Sequence, residues 1–101
     1  MADALEVAPD VYRVVFENDR LRVLGFVTQA GQSWPLHDHP DCVAISLTEY
    51  VVRNVIPGQV PTERHSRPGD VRWIPATAHS GANVGTTEMR GLVVELKEPR
   101  R

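Results

Sequence analysis

Apolar residues recur along the chain in short stretches rich in Val, Ile, Leu, Thr and Tyr, and each stretch ends at Gly, Pro, Asn or Asp. This pattern is typical of β-strands. No segment between the stretches has the length and period of an ordinary helix. The pattern predicts eight strands, at residues 11–17, 21–29, 42–48, 50–56, 62–66, 70–74, 78–83 and 88–96.

The residues between these stretches favour tight turns, because proline fixes φ and glycine adopts conformations that other residues avoid. The turn sequences are Asn18-Asp19, Pro57-Gly58 and Pro68-Gly69-Asp70. Many short strands with regular turns indicate an all-β sandwich or barrel. A length of 101 residues suits one hydrophobic core, so we expect a single domain over residues 1–101. Residues 1–10 are loosely patterned, which leaves open whether they fray or cross to a partner subunit.

Composition and charge exclude several classes of protein. The chain is 42% hydrophobic and 24% charged with a net charge of −2, which is typical of a soluble globular domain without a basic surface for nucleic acid. No apolar run is long enough for a membrane span, and the acidic start is unlike a secretory signal. A single cysteine, Cys42, is compatible with a reducing compartment. We therefore expect a cytoplasmic protein with no nucleic-acid or membrane partner.

The most informative segment is residues 35–40, where His37 and His39 are separated by one residue. On a strand, residues two apart point to the same face, so both imidazoles can reach one ion. A neutral imidazole binds a metal through one ring nitrogen and donates a hydrogen bond from the other. Gly31 precedes His37 by five intervening residues. A third ligand must come from another part of the chain.

A second segment, residues 69–83, has five residues between Gly69 and Pro75, and three residues between His79 and Asn83. Together the two segments resemble the two motifs of the cupin family. The flanking strands are similar to small bacterial cupins of the β-alanine-degradation type. The resemblance implies a double-stranded β-helix, also called a jelly-roll barrel.

The resemblance further implies that His79 joins His37 and His39 in one metal site. The ion expected there is a divalent transition metal, Fe, Zn, Ni or Cu, because imidazole suits these ions better than Mg²⁺ or Ca²⁺. The competing interpretation is a metal-free pocket in which the three histidines are only hydrogen-bonded.

This chain departs from the cupin motifs at a few positions. Val43 stands where the family has its glutamate ligand, and Thr77 replaces a glycine. Asp41 comes too early to replace the glutamate, and Glu49 is interpreted as a turn residue. The expected site is therefore three histidines without a carboxylate, as in cupins that resemble thiol dioxygenases and hold iron.

Several other residues have a weaker claim to a role. We interpret His65 as a surface residue, Asn83 as a loop cap and Cys42 as a small buried hydrophobe. Arg72 and Arg90 are candidates for binding an anionic group, although a solvated position is at least as well supported. If Trp73 and Val71 share the inward face, we expect them to line an apolar interior together with Val43, Ile45, Leu47, Leu92 and Val94.

Two functions remain open at this stage. The first is a metal-dependent enzyme acting on a small metabolite, with a dioxygenase as one candidate. The second is a non-catalytic cupin that binds or senses a small molecule with an empty or vestigial metal site. In either case we expect a homodimer, with the apolar strand at residues 11–16 as the contact, because an unprotected edge strand favours pairing.

Overall fold

The structure is a computed structural model that describes residues 2–97. Within these residues the chain forms one short helix and nine strands. They are α1 (Ala4–Val7), β1 (Tyr12–Glu17), β2 (Leu21–Thr28), β3 (Ser33–His39), β4 (Cys42–Ser46), β5 (Tyr50–Val55), β6 (Thr62–Ser66), β7 (Val71–Ile74), β8 (Thr77–Asn83) and β9 (Met89–Leu96). The helix has only four residues, and no helix in this range is long and apolar enough to cross a membrane.

The strands form two antiparallel sheets. One has five strands in the order β1-β2-β9-β4-β7, and the other has four in the order β3-β8-β5-β6. The inner faces of the two sheets supply the buried core, which includes Leu24, Phe26, Trp34 and Val93. The prediction of an all-β fold is confirmed, and each predicted strand lies within two residues of an observed one.

Strand β3 is the element that the apolar pattern missed. It contains Pro35 and several polar residues, so it lacks the composition of a typical strand. Proline is tolerated here because β3 is the outermost strand of its sheet and has an irregularity in pairing between Trp34 and His37. Strand β3 matters for function because it carries two of the three candidate histidines.

The N-terminal segment packs against its own chain. The Asp3 side chain accepts a hydrogen bond from the Leu5 amide at the start of α1. Ala2 and Asp38 exchange two bonds: the Ala2 amide donates to Asp38 Oδ2, and the Asp38 amide donates to the Ala2 carbonyl. The start of the chain is therefore held beside β3, and α1 packs against β3 and β1.

The residues predicted to line the interior lie instead on the outer face of β4 and its neighbouring strands. On β4 the inward positions are Cys42, Ala44 and Ser46, whereas Val43 and Ile45 lie on the outer face. Their cross-strand partners follow them outward, namely Trp73, Val71, Val94 and Leu92. Leu47 is about half exposed just beyond the strand, at 48%.

Aromatic rings explain why small residues point inward. Gly91 on β9 shows the crowding most clearly, because a Cβ atom there would lie 2.3 Å from Cζ of Phe26. The interior is filled by rings from facing strands, so the neighbouring strand offers only small side chains to it. Apolar residues on both faces of β4 made the two alternations look equivalent in the sequence.

Candidate metal centre

The three candidate histidines meet at one place between the sheets. His37 on β3 lies directly opposite His79 on β8, and His39 follows two residues later on the same face. Their ring centroids are 4.7–5.3 Å apart, and their potential ligand atoms all lie within 4.8 Å of one another. The prediction that these imidazoles converge is confirmed.

Each imidazole is held from behind through its Nδ1 atom. The partners are all oxygen acceptors, so each Nδ1 carries the proton and donates it. His37 donates to the Pro35 carbonyl at 2.8 Å, His39 to Glu95 Oε2 at 2.6 Å and His79 to Asn54 Oδ1 at 2.6 Å. All three Nε2 atoms are therefore left with a lone pair directed into the shared space.

The three Nε2 atoms do not each have a hydrogen-bond donor of their own. Nε2 of His37 and Nε2 of His39 are 3.1 Å apart, and Nε2 of His79 is buried without a hydrogen-bond partner in residues 2–97. Lone pairs this close repel unless an electron-poor group lies between them. In a tetrahedral zinc site the ligand atoms are about 3.3–3.4 Å apart, given Zn–N bonds of about 2.0–2.1 Å. The arrangement fits a divalent transition metal ion.

Burial favours the neutral form of two of these imidazoles, His37 and His79. It lowers the pKa of His37 below the ordinary histidine value. It also lowers the pKa of His79 to about 3, with a further contribution from the neighbouring His37 and His39 rings. A neutral imidazole is the form that binds a metal, so burial keeps His37 and His79 in their ligating form at neutral pH.

Tyr12 is a fourth polar group at the centre, and the sequence did not reveal it. Its hydroxyl oxygen lies 3.2 Å from Nε2 of His37 and 3.4 Å from Nε2 of His39. Burial, with the nearby charge of Glu95, raises the pKa of Tyr12, so the phenol keeps its proton and donates it. A lone tyrosine in an apolar strand was the available signal, because a buried hydroxyl needs a partner.

A carboxylate lies near the centre, but it contacts Nδ1 of His39 and not the space between the three Nε2 atoms. Glu95 on β9 is 3% exposed, and its Oε1 accepts bonds from Arg22 at 2.7 and 2.9 Å. Arg22 also donates to Asp3 at 2.7 Å, which links the pair to the start of α1. These charges compensate one another and keep the Glu95 carboxylate in place behind the His39 N–H.

The position expected for a glutamate ligand contains no carboxylate. Val43 faces outward, and its cavity-facing neighbour on β4 is Ala44. Glu49 bonds the exposed His65 on the surface, which agrees with the interpretation of both residues. The centre is therefore a three-histidine set with an outer carboxylate.

The structure also places three other residues that the sequence singled out, Asn83, Cys42 and Arg90. Asn83 is fully buried and caps the loop after β8, since its amide donates to Thr87 O and its oxygen accepts from Gly85 N. Cys42 is a buried residue of the cavity wall whose pKa is raised to about 11 by burial. Arg90 bonds Glu88 on the surface and does not reach the cavity.

A cavity of about 240 Å³ adjoins the histidines and extends between the two sheets. His39 and His79 line it at one end, and Arg64 and Arg72 line it on the strands at the opposite edges of the sheets. Its walls are mainly apolar and include Phe26, Val52, Met89 and Val93. Such a cavity offers a small molecule direct access to the histidine nitrogens.

Comparison with solved structures identifies the fold. A cupin domain from Bordetella pertussis has 21% sequence identity and a TM-score of 0.80, over 87% of this chain and 93% of that one. A cupin superfamily protein from Desulfitobacterium hafniense has 20% identity and a TM-score of 0.65, over 87% and 77%. A cupin from Methanocaldococcus jannaschii with a double-stranded β-helix fold has 15% identity and a TM-score of 0.66, over 85% and 78%.

The protein therefore has the cupin double-stranded β-helix, and the predicted jelly-roll fold is confirmed. At these levels of identity the comparison shows the fold alone, and one fold carries many functions. No protein-family model matches the sequence, and no curated protein matches it.

Proposed function

We propose that this cupin binds one divalent transition metal ion, Fe, Zn, Ni or Cu, through Nε2 of His37, His39 and His79. The observation that carries the proposal is the arrangement of protons. Every Nδ1 donates to a fixed oxygen acceptor, so three lone pairs converge on one buried space. A bound ion with three histidine ligands keeps open positions and polarises an oxygen atom of water or substrate.

We further propose that the metal centre acts on a small metabolite as an enzyme, with a dioxygenase as one candidate. The cavity beside the histidines supports this function, because it can hold a small molecule next to the ion. Tyr12 is placed to donate a hydrogen bond to a group bound there. Its ring also excludes water from one side of the centre, because it contacts both His37 and His39 edge to face.

A non-catalytic cupin that binds or senses a small molecule is the second candidate. One observation favours it: two groups of the cavity that could act as base or nucleophile are held in their protonated forms. Burial raises the pKa of Tyr12 and raises that of Cys42 to about 11. Turnover of candidate metabolites by the metal-loaded protein would favour the enzyme, whereas binding without turnover would favour the sensor.

Metal titration calorimetry tests the metal centre itself. We expect the wild type to bind one equivalent of Zn²⁺ at pH 7.5 and to lose affinity only below the ordinary histidine pKa of about 6.5, because protons compete for imidazole and burial lowers the pKa of His37 and His79. His79→Ala should lose nearly all affinity, since only two ligands on one strand remain. His65→Ala is the matched control and should bind as the wild type does. Equal binding by wild type and His79→Ala would refute the site.

The proposal extends to assembly and location. We propose a cytoplasmic homodimer related to small cupins of the β-alanine-degradation type. Strand β1 supports the dimer because it is the outermost strand of its sheet and exposes Val15 and Phe16 by 52% and 53%. Val11 and Tyr12, at the start of the predicted contact, are buried in the monomer and are not available. Light scattering should give twice the chain mass, and a monomer at high concentration would contradict the dimer.

A further inference from the structure

Two arginines face the cavity from the edge strands on the side away from β1 and β3. Arg64 on β6 lies opposite Val52, and Arg72 on β7 lies opposite Ala44. All four residues line the cavity that His39 and His79 also line. We call Arg64 and Arg72 the arginine pair. The interior thus has an imidazole end and a guanidinium end.

Arg64 is partly buried and Arg72 is more exposed, and both face the cavity without a paired carboxylate. Within residues 2–97 neither side chain forms an ion pair with a carboxylate, whereas Arg22 is bonded to both Asp3 and Glu95. The Nε atom of Arg64 is buried and has no hydrogen-bond acceptor among the residues that the structure describes. Burial, and then the neighbouring charge of Arg72, lower the pKa of Arg64. Two cations and one carboxylate, Asp70, line this end of the cavity, and the excess positive charge leaves a place for an anion.

We propose that the arginine pair binds the carboxylate of a small organic acid whose other end lies beside the histidines. Guanidinium groups match a carboxylate with two parallel N–H···O bonds, so each arginine can offer such a fork. The position of the other end rests on the proposed metal centre. The carboxylate site itself depends only on the arginines.

Charge and size narrow the class of ligand. Asp70 also lines the cavity, so this end carries a net charge of +1, which suits a carboxylate better than a doubly charged phosphate. The volume of about 240 Å³ lies below the range of about 300–1,000 Å³ found for pockets of drug-sized ligands. The apolar walls favour a hydrocarbon body. The expected ligand is a small monocarboxylate.

Butyrate and its uncharged analogue butyramide test the proposal directly. Trp34 is 7% exposed and lines the cavity, so its fluorescence reports on occupancy, whereas Trp73, the other tryptophan of the chain, is 55% exposed and gives a largely constant background. The titration is done on the chelator-treated protein and repeated after loading with Zn²⁺. We expect saturable binding of butyrate in both forms, and binding of butyramide at least tenfold weaker. Equal binding of the two compounds, or no binding of butyrate, would overturn the proposal.

Variants identify the residues responsible. Arg64→Gln and Arg72→Gln should each weaken butyrate binding about tenfold or more, and circular dichroism should show that both remain folded. Arg90→Gln is the control, because Arg90 lies outside the cavity and bonds Glu88. Wild-type affinity in both cavity variants would refute the assignment, as would tighter binding of inorganic phosphate than of butyrate.

The same experiment separates this proposal from the metal centre. If Zn²⁺ does not bind but butyrate binding still depends on the arginine pair, the metal centre fails and the carboxylate site stands. If Zn²⁺ binds through the histidines and the arginine variants bind butyrate as tightly as the wild type, only the carboxylate site is refuted.

Discussion

The two ends of the cavity differ in how far their polar groups are already satisfied. At the imidazole end, each of the three Nδ1–H groups has an oxygen acceptor within 2.6–2.8 Å. At the guanidinium end, Arg64 keeps a buried N–H without an acceptor. The first end is fixed in one orientation and one protonation state, whereas the second is charged and open.

This difference indicates two kinds of binding. Orienting bonds behind the ligands suit a resident ion, because they fix the tautomer and the ring position before the ion arrives. Unpaired guanidinium groups suit a ligand that enters and leaves, because they can be satisfied only when it is present. Acid acts on the imidazole end, and so do the substitutions Glu95→Gln, Asn54→Ala and Tyr12→Phe. The substitutions leave Arg64 and Arg72 in place.

Acid should produce the largest effect. The pKa of His79 is about 3 in the folded protein and near 6.5 in the unfolded chain, so the unfolded chain takes up the proton first. The stabilisation is therefore complete above about pH 6.5 and is lost as the pH falls towards 3. For the metal-free protein we expect a loss of at most about 1.4 kcal/mol per pH unit for this proton.

Chemical denaturation at pH 7 and at pH 4.5 measures this slope. His79→Gln should reduce the slope, and His65→Gln, on the surface, should leave it as in the wild type. An unchanged slope in His79→Gln would show that another group controls acid stability.

Glu95→Gln removes the charged acceptor behind His39. We expect metal affinity to fall about 10–100-fold, which is typical when such an orienting partner is lost. Stability should also fall by about 1–3 kcal/mol, because Arg22 loses part of its compensation in a buried place. Glu88→Gln is the control, since this carboxylate is exposed and should change stability by less than about 0.5 kcal/mol. Calorimetry and thermal melting on the two variants give both quantities.

Asn54→Ala removes the neutral acceptor behind His79 and should have a smaller effect. A hydrogen bond to a neutral oxygen is about half as strong as one to a carboxylate, so we expect metal affinity to fall by about tenfold or less. Thr62→Ala, at the position opposite Asn54 on β6, is the control. A larger loss for Asn54→Ala than for Glu95→Gln would reverse the proposed order of the two supports.

Tyr12→Phe should have the smallest effect. The aromatic ring keeps its edge-to-face contacts with Phe26 and the histidines, and only the hydroxyl is lost. We expect stability to change by about 1 kcal/mol and metal affinity to change only a few-fold. A loss of metal binding as large as in His79→Ala would instead make the phenol oxygen a ligand.

Much of the fold and the histidine set could be predicted from the sequence. The strands follow from local apolar stretches and turn residues, and His37 and His39 follow from alternation within one strand. His79 was found because the spacing of its segment resembles a known motif. Strand β3 was missed because Pro35 and its polar neighbours give no local strand signal, and its pairing with β8 stabilises it instead.

The supports around the site could not be predicted in the same way. Tyr12, Glu95 and Arg64 come from β1, β9 and β6, which are far from the histidines in sequence and are brought to the cavity by sheet order. Alternation also failed to choose the inner face of β4, because both faces of that strand carry uncharged residues of similar pattern. Packing against the large rings of the interior made that choice.

Anomalous diffraction from a crystal soaked with Zn²⁺ at pH 7.5 tests the central claim most directly. The three-histidine centre predicts one strong peak at the zinc edge, about 2.0–2.1 Å from Nε2 of His37, His39 and His79. The Nδ1 bonds to Pro35, Glu95 and Asn54 should remain in place. A peak that contacts Nδ1 atoms, a peak elsewhere on the protein, or no peak at all would contradict it.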